Sequence, residues 1–285
     1  MQIRAALRRF APLVVAALAA PLAGRADEGA KAYSFGVVNQ RSPVLHAQCW
    51  NPILRYVSQK SGVALQLKLA KTAPDHSAMI GRGEFDFIYS NHNFTPANEH
   101  VGYRVIARPA AAAITGQIVV PDGSAVKTLS DLDGKEVAFP SRAAFVGYYV
   151  PMDALLRAGI HVQPLFAGNQ EGAMGQLKSG RVPAVAVNSR VMRDYGERER
   201  FAYRVIWSSE PFLNIPISAH PSVPPDKVRA VRTALVGMAQ DAEGAKILAA
   251  SAELIKQEPP HGFVAADDRD FENYRRFFRN ALVKN

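Results

Sequence analysis

The chain has 285 residues, 48% hydrophobic, 21% charged and 9% aromatic, enough for one large domain or two of about 100–150 residues each. This balance excludes a disordered tail, a collagen-like rod and a disulfide-dense miniprotein. The formal charge is +9, but four of the 34 basic residues (Arg4, Arg8, Arg9 and Arg25) precede the first acidic one, Asp27. Beyond them 30 basic residues face 25 acidic ones and are scattered, so no nucleic-acid partner is expected.

Residues 1–26 read as an export signal. Arg4, Arg8 and Arg9 form a charged start, Phe10 to Leu22 an apolar stretch too short to span a bilayer, and Gly24-Arg25-Ala26 a small-residue cleavage site. The expectation is a soluble periplasmic protein. Cys49 is the sole cysteine, so no intrachain disulfide is possible and the fold must rest on its core.

After the leader, short apolar runs alternate with helix-like segments. Tyr33 to Val38 reads as a strand, Ser42 to Ser61 as a helix closing at Gly62, Val63 to Leu69 as a strand, Asp75 to Arg82 as a short helix and Phe85 to Tyr89 as a strand. Val101 to Ala107 and Gly116 to Val120 are further strands, followed by a helix-like Leu129 to Leu132 and a strand at Lys135 to Phe139. The plan then repeats: helix Tyr148 to Ala158, strand His161 to Phe166, helix Asn169 to Ser179 and strand Ala184 to Val187. A strand from Pro211 to Pro216 brings the chain back, and amphipathic helices cover Pro225 to Ala239 and Gly244 to Leu254. Setting Gly83 against Gly180 pairs Ile80 with Leu177, Phe85 with Val182, Ile88 with Val185 and Asn91 with Asn188, as two lobes built on one plan would. The fold class is α/β with parallel crossovers.

Ligands of open α/β sheets sit beyond the carboxyl ends of the strands, near helix N-termini. The polar residues expected there are Asn39, Gln40, Arg41 and Ser42; Tyr89, Ser90, Asn91 and His92; Ser141 and Arg142; Asn169 and Gln170; and Asn188 and Ser189. These are amides, hydroxyls and a guanidinium suited to a small polar or anionic solute. With carboxylates scarce, no acid–base pair is visible and no enzyme activity is expected. Of the adjacent Tyr148 and Tyr149, at most one is expected to face the cleft, with the other packing inward. His46 and Cys49, one helical turn apart, form the alternative of a soft-metal or arsenite-type site. His100, His161, His220 and His261 follow no ligand spacing and read as surface or capping residues.

The chain resembles the phosphate/phosphite/phosphonate substrate-binding proteins of ABC transporters over roughly residues 32–255. The resemblance rests on Trp50-Asn51-Pro52-Ile53-Leu54 with Tyr56, on Gly83-Glu84-Phe85-Asp86-Phe87, on Thr128 to Phe139, on Tyr149-Val150-Pro151 with Leu155 and Gly159, and on Gly168-Asn169-Gln170. It implies a two-lobed type II periplasmic binding fold, each lobe a mixed, mostly parallel sheet flanked by helices, with two hinge crossovers. Lobe 1 is expected from 27–116 and 212–285, including the C-terminal helices, and lobe 2 from 117–211. The chain departs from the family pattern at Ser141-Arg142-Ala143-Ala144-Phe145-Val146-Gly147, where a Ser-Thr-Ser-Gly cradle is usual, at Asn169 in place of a histidine, and at Val182-Pro183-Ala184 in place of Val-Asp-Ala. The implied role is capture of a small anion between the lobes for an ABC permease, by a monomer without cofactor. The ligand-binding set is Gln40, Ser42, Tyr89, Asn91, His92, Ser141, Arg142, Tyr148, Asn169 and Asn188, with Arg142 clamping the anion. A membrane histidine kinase is the alternative partner.

Overall fold

The computed structural model describes residues 32–283, and the leader expected over residues 1–26 lies outside them. Strand β1 (Tyr33–Val37) leads into α1 (Pro43–Ser61), capped by Ser42, whose side chain accepts from the Leu45 N–H. The helix stops at Gly62, where φ of +67° suits a residue without Cβ. β2 (Leu65–Lys68), α2 (Ala73–Gly81), β3 (Phe87–Tyr89) and β4 (Arg104–Pro109) follow. The chain then crosses to β5 (Gly116–Pro121), β6 (Glu136–Phe139), a π-helical turn over Phe145–Tyr149 running into α3 (Val150–Arg157), β7 (Gln163–Phe166), α4 (Gln170–Lys178), β8 (Ala184–Asn188), α5 (Ser189–Glu199) and β9 (Tyr203–Ser208). It returns through β10 (Ile217–Ala219), α6 (Pro225–Gly237), α7 (Ala242–Leu254), β11 (Phe263–Ala265) and α8 (Glu272–Asn280).

Two sheets result, ordered β11-β4-β10-β3-β1-β2 and β7-β6-β8-β5-β9. In the first, β1 pairs in parallel with β2 and β3; in the second, β6 pairs in parallel with β7 and β8. The strand delivered by each crossover lies antiparallel to the third strand of the sheet it enters: β10 on β3 and β5 on β8. The Gly83 and Gly180 segments therefore occupy matching places, each glycine in the left-handed region before a central strand.

Both faces of the second sheet's central strands β5, β6 and β8 are covered, so these read as near-continuous apolar runs. Ile118, Val120, Val137 and Phe139 face one core, while Val119, Ala138, Val185 and Val187 face the other under α4 and α5. In the first sheet, Phe35, Val37 and Phe87 pack with Trp50 and Ile53 of α1 and with Val231 and Leu248 of α6 and α7.

Two expectations need correction. The segment Pro211–Pro216 is not a strand: only Phe212 pairs, exchanging 2.7 Å backbone hydrogen bonds with Ile114, and β10 begins at Ile217. The flanking prolines have no N–H to give a ladder. Nor do all C-terminal helices stay with the first sheet. The ring of Tyr274 in α8 stacks on Phe145 of the π turn at 4.3 Å and lies 5.4 Å from both Phe212 and Phe94, while Phe277 and Phe278 also pack on Phe145. Arg157 donates to the Asn280 carbonyl and Asp153 accepts from the Leu282 N–H. The apolar stripe of α8 finds its cover across the crossovers, on the second sheet as well as the first.

Removing this anchor should be costly. Phe145→Ala, in a fully packed aromatic cluster, is expected to lower unfolding free energy by about 3–5 kcal/mol in urea titration. Arg142→Ala, exposed beside it, should cost less than about 1 kcal/mol.

Candidate functional site

Two cavities lie between the sheets, and Gln40 and Asn188 line both. The smaller, about 30 Å³, is bounded by Val38, Asn39 and Gln40 after β1, Asn91 and His92 after β3, Ser141 and Ala144–Val146 after β6, and Gln170 at the start of α4. The strand ends converge here because in each sheet the parallel strands point their carboxyl edges at the crossovers. The helical run from Phe145 to Arg157 begins at the cavity wall, and the N–H groups of its first turn have no carbonyl one turn earlier. Gly116 and Gly147 permit the close approach of this turn. A Cβ on Gly116 would stand 2.5 Å from the Val146 oxygen, and one on Gly147 2.8 Å from the Gln170 amide and 2.9 Å from Pro140.

Ser141 and His92 face this space from opposite sheets, 4% and 2% exposed. Neither the Ser141 Oγ nor the His92 Nδ1 has a hydrogen-bond partner among the described residues. Buried polar atoms are rarely left so, since each unsatisfied group costs about 1–3 kcal/mol. The two groups offer a hydroxyl and a neutral imidazole to a polar guest.

The larger cavity, about 110 Å³, has a different character. Trp50, Tyr89, Ile53, Leu248 and Phe263 supply an apolar floor, with the Trp50 and Tyr89 rings 4.8 Å apart. Arg41 from the first sheet and Arg190 and Asp194 from α5 supply charge. Arg41 reaches Asp194 at 3.3 Å, linking the two sheets, and Asp194 is 1% exposed. The second Asp194 oxygen is held only by Arg193 at 3.8 Å.

The structure brings Gln40, Tyr89, Asn91, His92, Ser141 and Asn188 to these cavities. Four of the expected contacts lie elsewhere. Ser42 is an exposed cap of α1, and Asn169 caps α4 through the Gly172 N–H. Arg142 is exposed and lies over the Phe166 ring at 4.7 Å, because Ser141 takes the inward position and its neighbour in the turn must face out. Tyr148 and Tyr149 are both buried: Tyr148 packs on Phe139 and Phe166, Tyr149 on Phe278. The wide π turn gives each side chain a packed face, and neither lines a cavity described here. His46 and Cys49 do line the larger cavity, but not as a metal pair. The His46 Nε2 accepts from the Arg41 N–H, the Cys49 thiol donates to the Ser251 carbonyl, and burial pushes the thiol pKa up, away from thiolate.

Arg190, Asp194, Asn214 and His261 were not anticipated as site residues. His261 lines the larger cavity instead of lying on the surface or capping a helix. The signal for Arg190 and Asp194 was Asn188, whose carboxamide caps α5 by accepting from the Arg190 and Val191 N–H groups; the next helical turns were bound to share its surroundings.

Burial presses the His92 pKa down to about 4; burial and the Arg41 charge do the same to His46, and the fully buried His76 is lowered mainly by burial. An unfolded imidazole takes its proton near pH 6.5. Between there and about pH 4 the unfolded chain binds more protons, so stability falls as pH falls. Asp194 acts oppositely. Burial raises it to about 6 against the pull of Arg41 and Arg190, so its ionisation costs stability as pH rises from about 4 to 6. The urea midpoint is expected to fall from pH 7 to pH 4.5. His92→Asn should flatten that fall, and Asp194→Asn should steepen it.

The chain's similarities agree with this architecture. The family model of the ABC transporter, phosphonate, periplasmic substrate-binding protein matches residues 35–271. PhnD1 from Prochlorococcus marinus, solved with methylphosphonate, superposes with a TM-score of 0.71 at 13% identity, covering 87% of this chain and 97% of that one. A binding protein component of an ABC phosphonate transporter from Pseudomonas aeruginosa superposes at 0.73 with 17% identity, covering 86% and 84%. No curated protein matches the chain in sequence. With most of its length under one family model and two mixed sheets arranged as in the two-lobed type II binding proteins, the chain belongs to the periplasmic substrate-binding proteins of ABC phosphonate transporters.

Proposed function

We propose that the protein captures a small oxyanion or phosphonate headgroup in the smaller cavity and delivers it to an ABC permease. The observation that carries this reading is the pair of unpartnered buried groups, Ser141 Oγ and His92 Nδ1, facing one cavity at the start of a helical run. A neutral site of this kind suits an anion through donated hydrogen bonds and the N-terminal dipole. The lobes, residues 27–116 with 212–285 and residues 117–211, would close on the ligand by bending at the paired crossovers. The C-terminal part of the first lobe then reaches across the hinge through α8.

Export by the leader and a periplasmic location follow from the same reading, supported by the charged, apolar and small-residue pattern of residues 1–26. The family is one of substrate-binding transport proteins and not an enzyme class. A histidine kinase partner draws no support from the fold or the family, and we take the protein to act as a monomer.

Calorimetric titration with methylphosphonate, phosphate and phosphite at pH 7.5 tests the reading. At least one should bind. Ser141→Ala should weaken it roughly ten- to a hundredfold, the range for a hydrogen bond to a charged group. Arg142→Ala should leave affinity within about twofold. Absence of binding by all three anions, or a Ser141→Ala protein that binds as well as wild type, would overturn the assignment.

A further inference from the structure

The two cavities differ in size and in charge. The 30 Å³ space is small, with room for a compact headgroup and little more. The 110 Å³ space beside it is several times larger, and the shared Gln40 and Asn188 form the threshold between the two. A ligand seated by its headgroup therefore has one roomy direction for its substituent: over Trp50 and Tyr89 toward α5.

That direction ends on cations. Arg41 is matched by Asp194. Arg190 is only partly exposed, and no carboxylate among the described residues lies within ion-pair distance of it. Its recorded hydrogen bond is to the Glu258 carbonyl, one of the five N–H groups a guanidinium can donate. Arg193 adds a further positive charge beside Asp194. Arg41 and Arg193 thus share one carboxylate, and Arg190 stands one helical turn before it on α5. A guanidinium partly withdrawn from water favours an anionic partner, and its planar fork fits a carboxylate in bidentate fashion. Burial also presses the Arg190 pKa down, against the pull of the Asp194 carboxylate and with the Arg193 and Arg41 charges adding to the fall.

We infer that the ligand carries a second negative group on its substituent: it is a phosphonocarboxylate-like dianionic organic acid, with its headgroup in the smaller cavity and its carboxylate on Arg190 in the larger one. This rests on the oxyanion reading of the smaller cavity and adds the chemistry of the other end. The same feature disfavours substituents ending in an ammonium group, which would meet Arg190 and Arg41 with like charge.

Calorimetry on the wild-type protein tests the inference without any variant. Phosphonoacetate is compared with ethylphosphonate, and 3-phosphonopropionate with propylphosphonate, so that each pair differs in the terminal carboxylate; methylphosphonate reports the headgroup alone. At least one phosphonocarboxylate should bind tenfold or more tightly than its alkyl counterpart. Arg190→Gln should bring that ratio close to one, while Arg193→Gln, altering a charge outside the cavity wall, should largely preserve it. Alkylphosphonates binding as tightly as both phosphonocarboxylates, or a preference that survives Arg190→Gln, would overturn the inference and leave the headgroup assignment standing. If no phosphonate binds, methylphosphonate included, the inference falls, and the headgroup assignment falls with it when phosphate and phosphite also fail to bind.

Discussion

The backbone pairing of Ile114 with Phe212 is the constraint on which the rest of the molecule depends. It binds the two crossovers side by side, so the sheets they connect share one joint and turn their carboxyl edges toward it. The Tyr274 hydroxyl donates to the Leu213 carbonyl at 2.5 Å, and its ring fills the space between Phe145 and Phe212. The joint is thus walled with aromatic side chains on one side and opens into the polar cavities on the other. Phe145 serves both: its ring belongs to the aromatic cluster and its backbone to the helical turn at the headgroup cavity.

Dividing the binding region into a neutral and a charged compartment has an energetic logic. His92 and Ser141, kept neutral in a tight space, offer donors without requiring a counter-ion when the space is empty. Arg41 and Asp194 compensate one another, and this ion pair joins the first sheet's β1–α1 loop to α5. Its value is modest because both partners have given up hydration to form it. It acts more on where the two elements sit than on how firmly they hold.

Much of the fold was legible in the sequence, because strands buried on both faces appear as unbroken apolar runs and left-handed glycines mark the helix ends. The correspondence of Asn91 and Asn188 placed two cavity residues by symmetry alone. What escaped was whatever depended on side-chain direction after a turn. Ser141 and Arg142 are adjacent and both plausible anion ligands, and only the backbone past Pro140 decides which faces inward. Helix α5, with the sequence Ser-Arg-Val-Met-Arg-Asp-Tyr-Gly-Glu-Arg-Glu, looks like a solvated surface; that its Asp194 turns toward the cavity depends on Arg41, 153 residues earlier in the chain. The paired tyrosines were misjudged because an α-helical repeat was assumed where the chain makes a wider turn.

The position of α8 also bears on how the chain matures. Phe94 stacks on Phe271, and Arg157 bonds the Asn280 carbonyl, contacts that span well over a hundred residues. The segment that seals the joint is therefore synthesised long after the residues it covers. Until it arrives, Phe94, Phe145 and Phe212 lack the part of their cover that Phe271, Tyr274 and Phe277 supply. Non-local contacts of this kind form late, because loop closure must be met before they reward it. Each sheet can assemble its own helices beforehand, but the region where they meet must wait for the C-terminus, and a chain that stalls before residue 270 would present that aromatic surface to its surroundings.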